Sequence, residues 1–232
     1  MTKCLKNKTV VVLGGSNGIG AAVVELALAE GAAVVAISRS GRAPDGAKGI
    51  AVHATNRKAL EAAFAEVGTF DHLVHTIGAR LGSPALSDLD DDILPLAFET
   101  KLFGAIYAIR AALPYLSADA SITLTSGQVS RKYGVGSVVK GSVNAAVDAA
   151  GRHLAKELAP RRVNVVSPGV VDTSLWGDDG SAVRAATIAR VSGLLPVKRV
   201  GMPAELAQAY LFAMTNGFVT GSLIDVDGGG LL

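Results

Sequence analysis

Short apolar runs alternate along the chain with longer stretches whose apolar residues recur at helical spacing. The first run, Thr9-Val10-Val11-Val12-Leu13, reads as a buried strand, and Ala21 to Glu30 as a helix with Gly31 at its C-terminal cap. Ala33 to Ile37 and Ile50 to Val52 predict strands, and Arg57 to Val67 a helix. Leu73 to Ile77 predicts a buried strand broken at Gly78. A helical region follows from about Asp90 to Leu116, with Pro95 near its start and Pro114 near its end. Ser121 to Thr125 predicts another strand, and Val138 to Leu158 a long helix closed by Pro160. Arg162 to Val166 and Leu223 to Val226 complete the strands. Between Ser167 and Val200 periodicity is poor, and only Ala182 to Val191 is weakly helical.

Strand and helix in unbroken alternation predict an α/β fold: one doubly wound parallel sheet of Rossmann type, in a single domain covering residues 1–232. In such a sheet, ligands sit beyond the C-terminal strand ends where strand order reverses. The loops after Leu13, Ile37, Ile77, Thr125 and Val166 should then line one cleft. The irregular segment at about 173–200 is expected to act as a lid, because long structureless loops in compact domains tend to be functional.

The loop between the first strand and helix is the most informative segment. Gly14-Gly15-Ser16-Asn17-Gly18-Ile19-Gly20 has the glycines a phosphate cradle needs, both for a sharp turn and for close backbone approach. The helix N-terminus behind it presents free N–H groups and the positive end of a dipole. Such a glycine pattern also makes ordinary turns. Its place between a strand and a helix inside a βαβ unit points to nucleotide binding.

Composition narrows the picture. Half of the 232 residues are apolar and the formal net charge is +2, with Lys and Arg scattered, so no basic stripe invites nucleic acid. Cys4 is the only cysteine, which excludes an intrachain disulfide and suits a reducing compartment. The N-terminus lacks the apolar core of a signal peptide, and no apolar stretch approaches a membrane span. The expectation is a soluble cytoplasmic protein. His53, His72, His75 and His153 lack metal-ligand spacing, so no metal is expected.

In these motifs the chain resembles the short-chain dehydrogenases/reductases over essentially its whole length. The glycine loop matches that family's coenzyme fingerprint, and Asp71 to Gly78 its fourth-strand motif, with His75-Thr76-Ile77 where Asn-Asn-Ala is usual. Ser126 stands at the position of the catalytic serine and Lys140 at that of the lysine. Arg162 to Gly169, with Val171 and Thr173, resembles the segment that holds the nicotinamide carboxamide. Thr220-Gly221 and Asp225 to Gly229 match the C-terminal signature. The resemblance implies a nicotinamide cofactor held by Gly14, Ser16, Asn17, Gly18, Ile19, Gly20, Gly78, Lys140, Pro168, Gly169, Val171 and Thr173. It also implies a homodimer or homotetramer built on the helices Asp90 to Leu116 and Gly141 to Leu158. The small residues of the latter suit either the sheet or a twin helix.

Two tetrad positions depart from the family. The tyrosine position, four residues before Lys140, is Gly136, and the helix asparagine aligns with Lys101. The segment between Ser126 and Lys140 is also shorter than the family norm, by about three residues. A carbonyl reduction needs a proton for the developing alkoxide, and glycine has none to give. The candidate donors are Lys101, Tyr133, or a water held by Ser126 and Lys140. Lys101 leads, because a second ammonium nearby would lower its pKa, although it can equally snorkel to solvent. His75, ending a central strand, is open to a polar role in the cleft.

Ser38, Arg39 and Ser40, with Arg42 behind them, follow the second strand where a carboxylate usually selects NAD. A guanidinium and hydroxyls suit a 2′-phosphate, so NADP(H) is the expected cofactor. His53 replaces the family's aspartate at the adenine. Three functions remain open: an NADP(H)-dependent oxidoreductase on a small carbonyl or alcohol, a catalytically silent NADP(H)-binding sensor or partner protein, and a non-redox enzyme. The intact glycine loop and its charges argue against the third. Trp176, in the lid segment, either touches substrate or caps apolar surface.

Overall fold

The structure, a computed structural model, describes residues 3–174 and 181–232. Its centre is a seven-stranded, all-parallel sheet in the order β3-β2-β1-β4-β5-β6-β7. The strands are β1 (Thr9–Leu13), β2 (Ala33–Ser38), β3 (Lys48–Ala51), β4 (Phe70–His75), β5 (Leu116–Thr125), β6 (Arg162–Pro168) and β7 (Leu223–Val226). The helices are α1 (Gly18–Ala29), α2 (Arg57–Val67), α3 (Ile93–Phe98), α4 (Gly104–Ala112), α5 (Val138–Glu157), α6 (Ala182–Leu194) and α7 (Pro203–Thr215). This is the doubly wound arrangement the alternating pattern predicts.

Each face of the sheet has its own core. Leu13, Ile37, Leu73, Ile122 and Val165 pack under α2, α4 and α5 through Leu60, Phe64, Ala108, Ile109 and Val147. Val10, Val12, Val34, Val74 and Val166 pack under α1 and α7 through Val23, Val24, Leu206 and Tyr210. Burial on both faces explains why the central strands read as continuous apolar runs rather than alternating ones. The register aligns Leu13 with Ile37 and His75, His75 with Leu124, and Thr125 with Val166. The C-terminal ends therefore lie level, with the order reversing between β1 and β4.

Several elements differ from the sequence reading. The expected helix from about 90 to 116 is three pieces: α3, a π-helical turn at Glu99–Phe103, and α4, which ends at Ala112. Leu113 and Pro114 stop it, and the chain enters β5 five residues before the expected Ser121. The helix α7 was not anticipated. Its buried residues Leu206, Ala207, Tyr210, Ala213 and Met214 follow helical spacing, and Pro203 sits at the first helical position. Glu205 accepts from the Met202 N–H at 2.8 Å and pairs with Arg199, which lowers its pKa to about 2. In the segment expected to form a lid, α6 has no buried residue and is anchored by Arg184 to Asp172 at 2.7 Å. Trp176 lies outside the described residues. Among the described residues, no helix is long and apolar enough to cross a membrane.

The small residues of α5 face the sheet at Gly151, which is buried. A Cβ there would stand 2.3 Å from Val165 Cγ2. Overpacking of this kind costs about 1–3 kcal/mol, against roughly 1 kcal/mol regained in helix propensity. We expect Gly151→Ala to be net destabilising, read as a lowered urea midpoint with an unchanged slope.

Candidate active site

The glycine loop is seated by contacts that leave no room for a side chain at Gly14 or Gly20. Gly14 has φ +87°, and a Cβ on it would meet Thr76 Oγ1 at 2.6 Å. One on Gly20 would meet the Gly14 carbonyl oxygen at 2.2 Å. Thr76, the central residue of the unusual His75-Thr76-Ile77, donates its hydroxyl to the Leu13 carbonyl at 2.9 Å. Asn17 occupies the N-cap of α1 in extended conformation and makes no side-chain capping bond. The first N–H groups of the helix have no partners within it, which is the condition for holding an anion. Across the loop, Thr173 approaches Gly18: a Cβ on that glycine would lie 3.5 Å from Thr173 Cγ2. Gly169 packs on the C-terminal turn, where a Cβ would stand 2.6 Å from Asp227 Cα.

At the end of β2, Ser38 is buried while Arg39 and Ser40 are exposed. The Ser38 and Ser40 hydroxyls lie 3.3 Å apart, and Arg42 donates through its backbone N–H to Ser40 Oγ at 3.3 Å. His53 is exposed beside Thr55, its Nδ1 2.9 Å from the Thr55 hydroxyl.

Beyond β5, Ser126 is 4% exposed, and its hydroxyl is without a hydrogen-bond partner among the described residues. Lys101, in the π-helical turn, donates to the Ser126 carbonyl at 2.8 Å and to Asn144 Oδ1 at 2.5 Å. It does not snorkel to solvent. Its pKa is lowered to about 8, chiefly by desolvation, with Asp148 pulling the other way. The expected cause, a second cation, is not the operative one. Asn144 and Asp148 sit one and two turns beyond Lys140 on α5. Asn144 escaped notice because nothing in its local sequence marks it; only the fold brings it to Lys101.

His75 is 2% exposed, its Nε2 without a partner among the described residues, and burial, followed by the nearby Lys101 charge, lowers its pKa to about 4, so it is a buried neutral imidazole. Below it, Thr125 donates to the His75 carbonyl at 2.7 Å and accepts from the Tyr210 hydroxyl at 2.6 Å. Tyr210 thus ties α7 to the floor of the site, and burial raises its pKa.

Tyr133 is not drawn into the site. It is 90% exposed in the turn before α5. Gly136 also lies outside the helix, with φ +74°, and a Cβ on it would meet the Ser83 carbonyl oxygen at 2.3 Å. The loop after β4 thus closes onto the backbone of Gly136. The same loop brings Ser83 Oγ to Lys140 Nζ at 2.8 Å, and burial lowers the pKa of Lys140. Arg80 in this loop donates to the Ser174 carbonyl across the cleft. Ser83 was not singled out from the sequence, where it is one serine in a polar turn.

A family model described as Enoyl-(Acyl carrier protein) reductase matches residues 14–230. A small-chain dehydrogenase solved in complex with NADPH is 38% identical, with a TM-score of 0.85 over 97% of this chain and 98% of that one. Short-chain dehydrogenase/reductase ATR9 of Stachybotrys chlorohalonatus is 34% identical, covering 98% of both chains. Carbonyl reductase family member 4 of Danio rerio is 31% identical over 96% of this chain and 98% of that one. The chain belongs to the short-chain dehydrogenase/reductase family.

The buried ammonium of Lys101 makes a pH-dependent prediction. Its pKa falls from an ordinary 10.5 to about 8 on folding, so between those values the unfolded chain binds more protons than the folded one. Stability contributed through this group therefore rises with pH across that window and is flat below it. We expect the urea midpoint of the parent, measured relative to Lys101→Met, to climb over this range.

Proposed function

We propose that the protein is an NADP(H)-dependent oxidoreductase acting on a small carbonyl or alcohol. The observation that carries this reading is the buried hydroxyl of Ser126, without a partner among the described residues, at the same C-terminal strand ends as a loop whose Gly14 and Gly20 have no room for a side chain. The residues present fit the dinucleotide. Gly14, Ser16, Asn17, Gly18, Ile19 and Gly20 would hold the pyrophosphate, Ser38, Arg39 and Ser40 a 2′-phosphate, and Gly78, after β4, would also contact the dinucleotide. Lys140 would hold the ribose hydroxyls, and Pro168, Gly169, Val171 and Thr173 the carboxamide. When bound in reduced form, the nicotinamide supplies a hydride. Ser126 would donate its free hydroxyl to the substrate oxygen, and Lys101 would fix the Ser126 backbone from behind by holding its carbonyl. The segment at about 173–200 would cover the cleft, and Cys4, free and exposed, suits a reducing cytoplasm.

A charge-assisted contact is worth about 1.5–3 kcal/mol, so one guanidinium on the 2′-phosphate gives at least about tenfold preference. We expect NADPH to bind at least about tenfold more tightly than NADH in a fluorescence titration, and Arg39→Ala to erase most of that margin. Equal affinities in the parent would end the NADP(H) assignment.

One observation favours a second reading, a silent nucleotide-binding protein: backbone of the β4 loop stands where a side chain at Gly136 would begin. A parent that binds NADPH tightly but turns over nothing in a broad carbonyl panel would select it.

The exposed apolar residues Leu94, Leu96, Phe103 and Ile106 lie on α3, the π turn and α4, and a homodimer or homotetramer would bury them. Light scattering at micromolar concentration should give a mass of two or four chains. A monomer there would count against this assembly.

A further inference from the structure

We propose that Ser83, in the loop after β4, is the hydroxyl that passes a proton from Lys140 to the substrate oxygen in place of the absent tyrosine. The inference rests on the oxidoreductase reading above. Three observations converge on this serine. Ser83 Oγ is 2.8 Å from Lys140 Nζ, so the hydroxyl accepts from the ammonium and its own hydrogen is free to be given elsewhere. The Ser83 carbonyl lies 2.3 Å from where a Cβ on Gly136 would be, so the loop carrying Ser83 is packed against the backbone just before α5. Ser83 itself is exposed, which leaves its hydroxyl in reach of a ligand in the cleft and of water.

The other candidate donors are less well disposed. Lys101 commits two of its three ammonium hydrogens to the Ser126 carbonyl and Asn144, which hold it behind Ser126, and Tyr133 is at the surface. A serine hydroxyl is a poor acid alone. It serves as a relay when a proton reaches it as one leaves. Burial lowers the pKa of Lys140, so its ammonium releases a proton more readily than an ordinary lysine. The proton balance closes. As the carbonyl carbon gains a hydride from the reduced dinucleotide, its π pair moves to oxygen, and that oxygen takes the Ser83 proton. Ser83 Oγ takes one from Lys140 Nζ, and the neutral amine is recharged from water. In the oxidative direction each transfer runs backwards.

A small cavity beside the pair is lined by Gly82, Pro84, Leu86, Leu89, Ile93 and Val139.

The test compares Ser83→Ala and Ser83→Thr with the parent. Ser83→Ala should lower kcat for carbonyl reduction by about a hundredfold, on the scale of general acid catalysis, while NADPH affinity and thermal midpoint stay near parental values. Ser83→Thr, which keeps the hydroxyl, should restore most of the rate. A second readout needs no turnover: pH-dependent acylation of Lys140 in the cofactor-free protein. Removing an acceptor of the ammonium's hydrogen bond should make the amine titrate, and react, at lower pH in Ser83→Ala. An active parent whose Ser83→Ala variant keeps full kcat, or whose Lys140 titration does not move, would overturn the relay. A parent that neither binds NADPH nor reduces any carbonyl would overturn the functional reading instead.

Discussion

The hydrogen bond from the Thr76 hydroxyl to the Leu13 carbonyl, with the glycines packed around it, is the contact on which the cleft depends. It joins the ends of β1 and β4 at the point where strand order reverses. The same hydroxyl lies 2.6 Å from where a Cβ would be on either Gly14 or Gly20, so the loop can fold only with glycine at both positions. Once those positions are bare, α1 can begin at Gly18 with its N–H groups facing the opening. The open helix N-terminus is thus a packing consequence of β4, not a property of the glycine motif alone.

The seating of Lys101 follows similar logic. A lysine at position 101 brings a charge into a partly buried turn, at a desolvation cost visible in its lowered pKa. That cost is offset by two acceptors, the Ser126 carbonyl and Asn144 Oδ1. Asn144 itself sits against Gly127, where a Cβ would be only 3.1 Å from Asn144 Nδ2. Residues 101, 126, 127 and 144 therefore form one unit, and the π-helical turn is the local backbone adjustment that carries the lysine into it.

The strands and long helices were legible because their burial is periodic and their boundaries are marked by Gly and Pro. The helix α2 begins and ends where its pattern does, capped by Asn56, whose side chain accepts from Ala59 N–H. The α3–π–α4 segment was misjudged as one helix because apolar spacing does not distinguish a π turn inserted between two α segments. The helix α7 was overlooked although Pro203, Glu205 and the run from Leu206 to Met214 carried its signal. Within the site, the glycine loop, Ser126 and Lys140 were visible as motifs. Asn144, Ser83 and Tyr210 were not, because each acts across 43, 57 or 85 residues of chain and has no local pattern to betray it.

Glycine at position 136 has a local structural consequence of its own. With glycine at 136 the backbone takes a left-handed turn and α5 starts only at Val138, so the residue four before Lys140 is no longer on the helix. Spacing alone would still align it with the family tyrosine, but the geometry that lets a helix turn place two side chains on one face is gone. Gly136 instead accepts the approach of the β4 loop, and this approach delivers Ser83 to Lys140. A tyrosine restored at 136 would face both the strain of φ +74° and the Ser83 carbonyl at 2.3 Å from its Cβ. The glycine and the serine loop are therefore coupled: position 136 cannot take a side chain without displacing the loop.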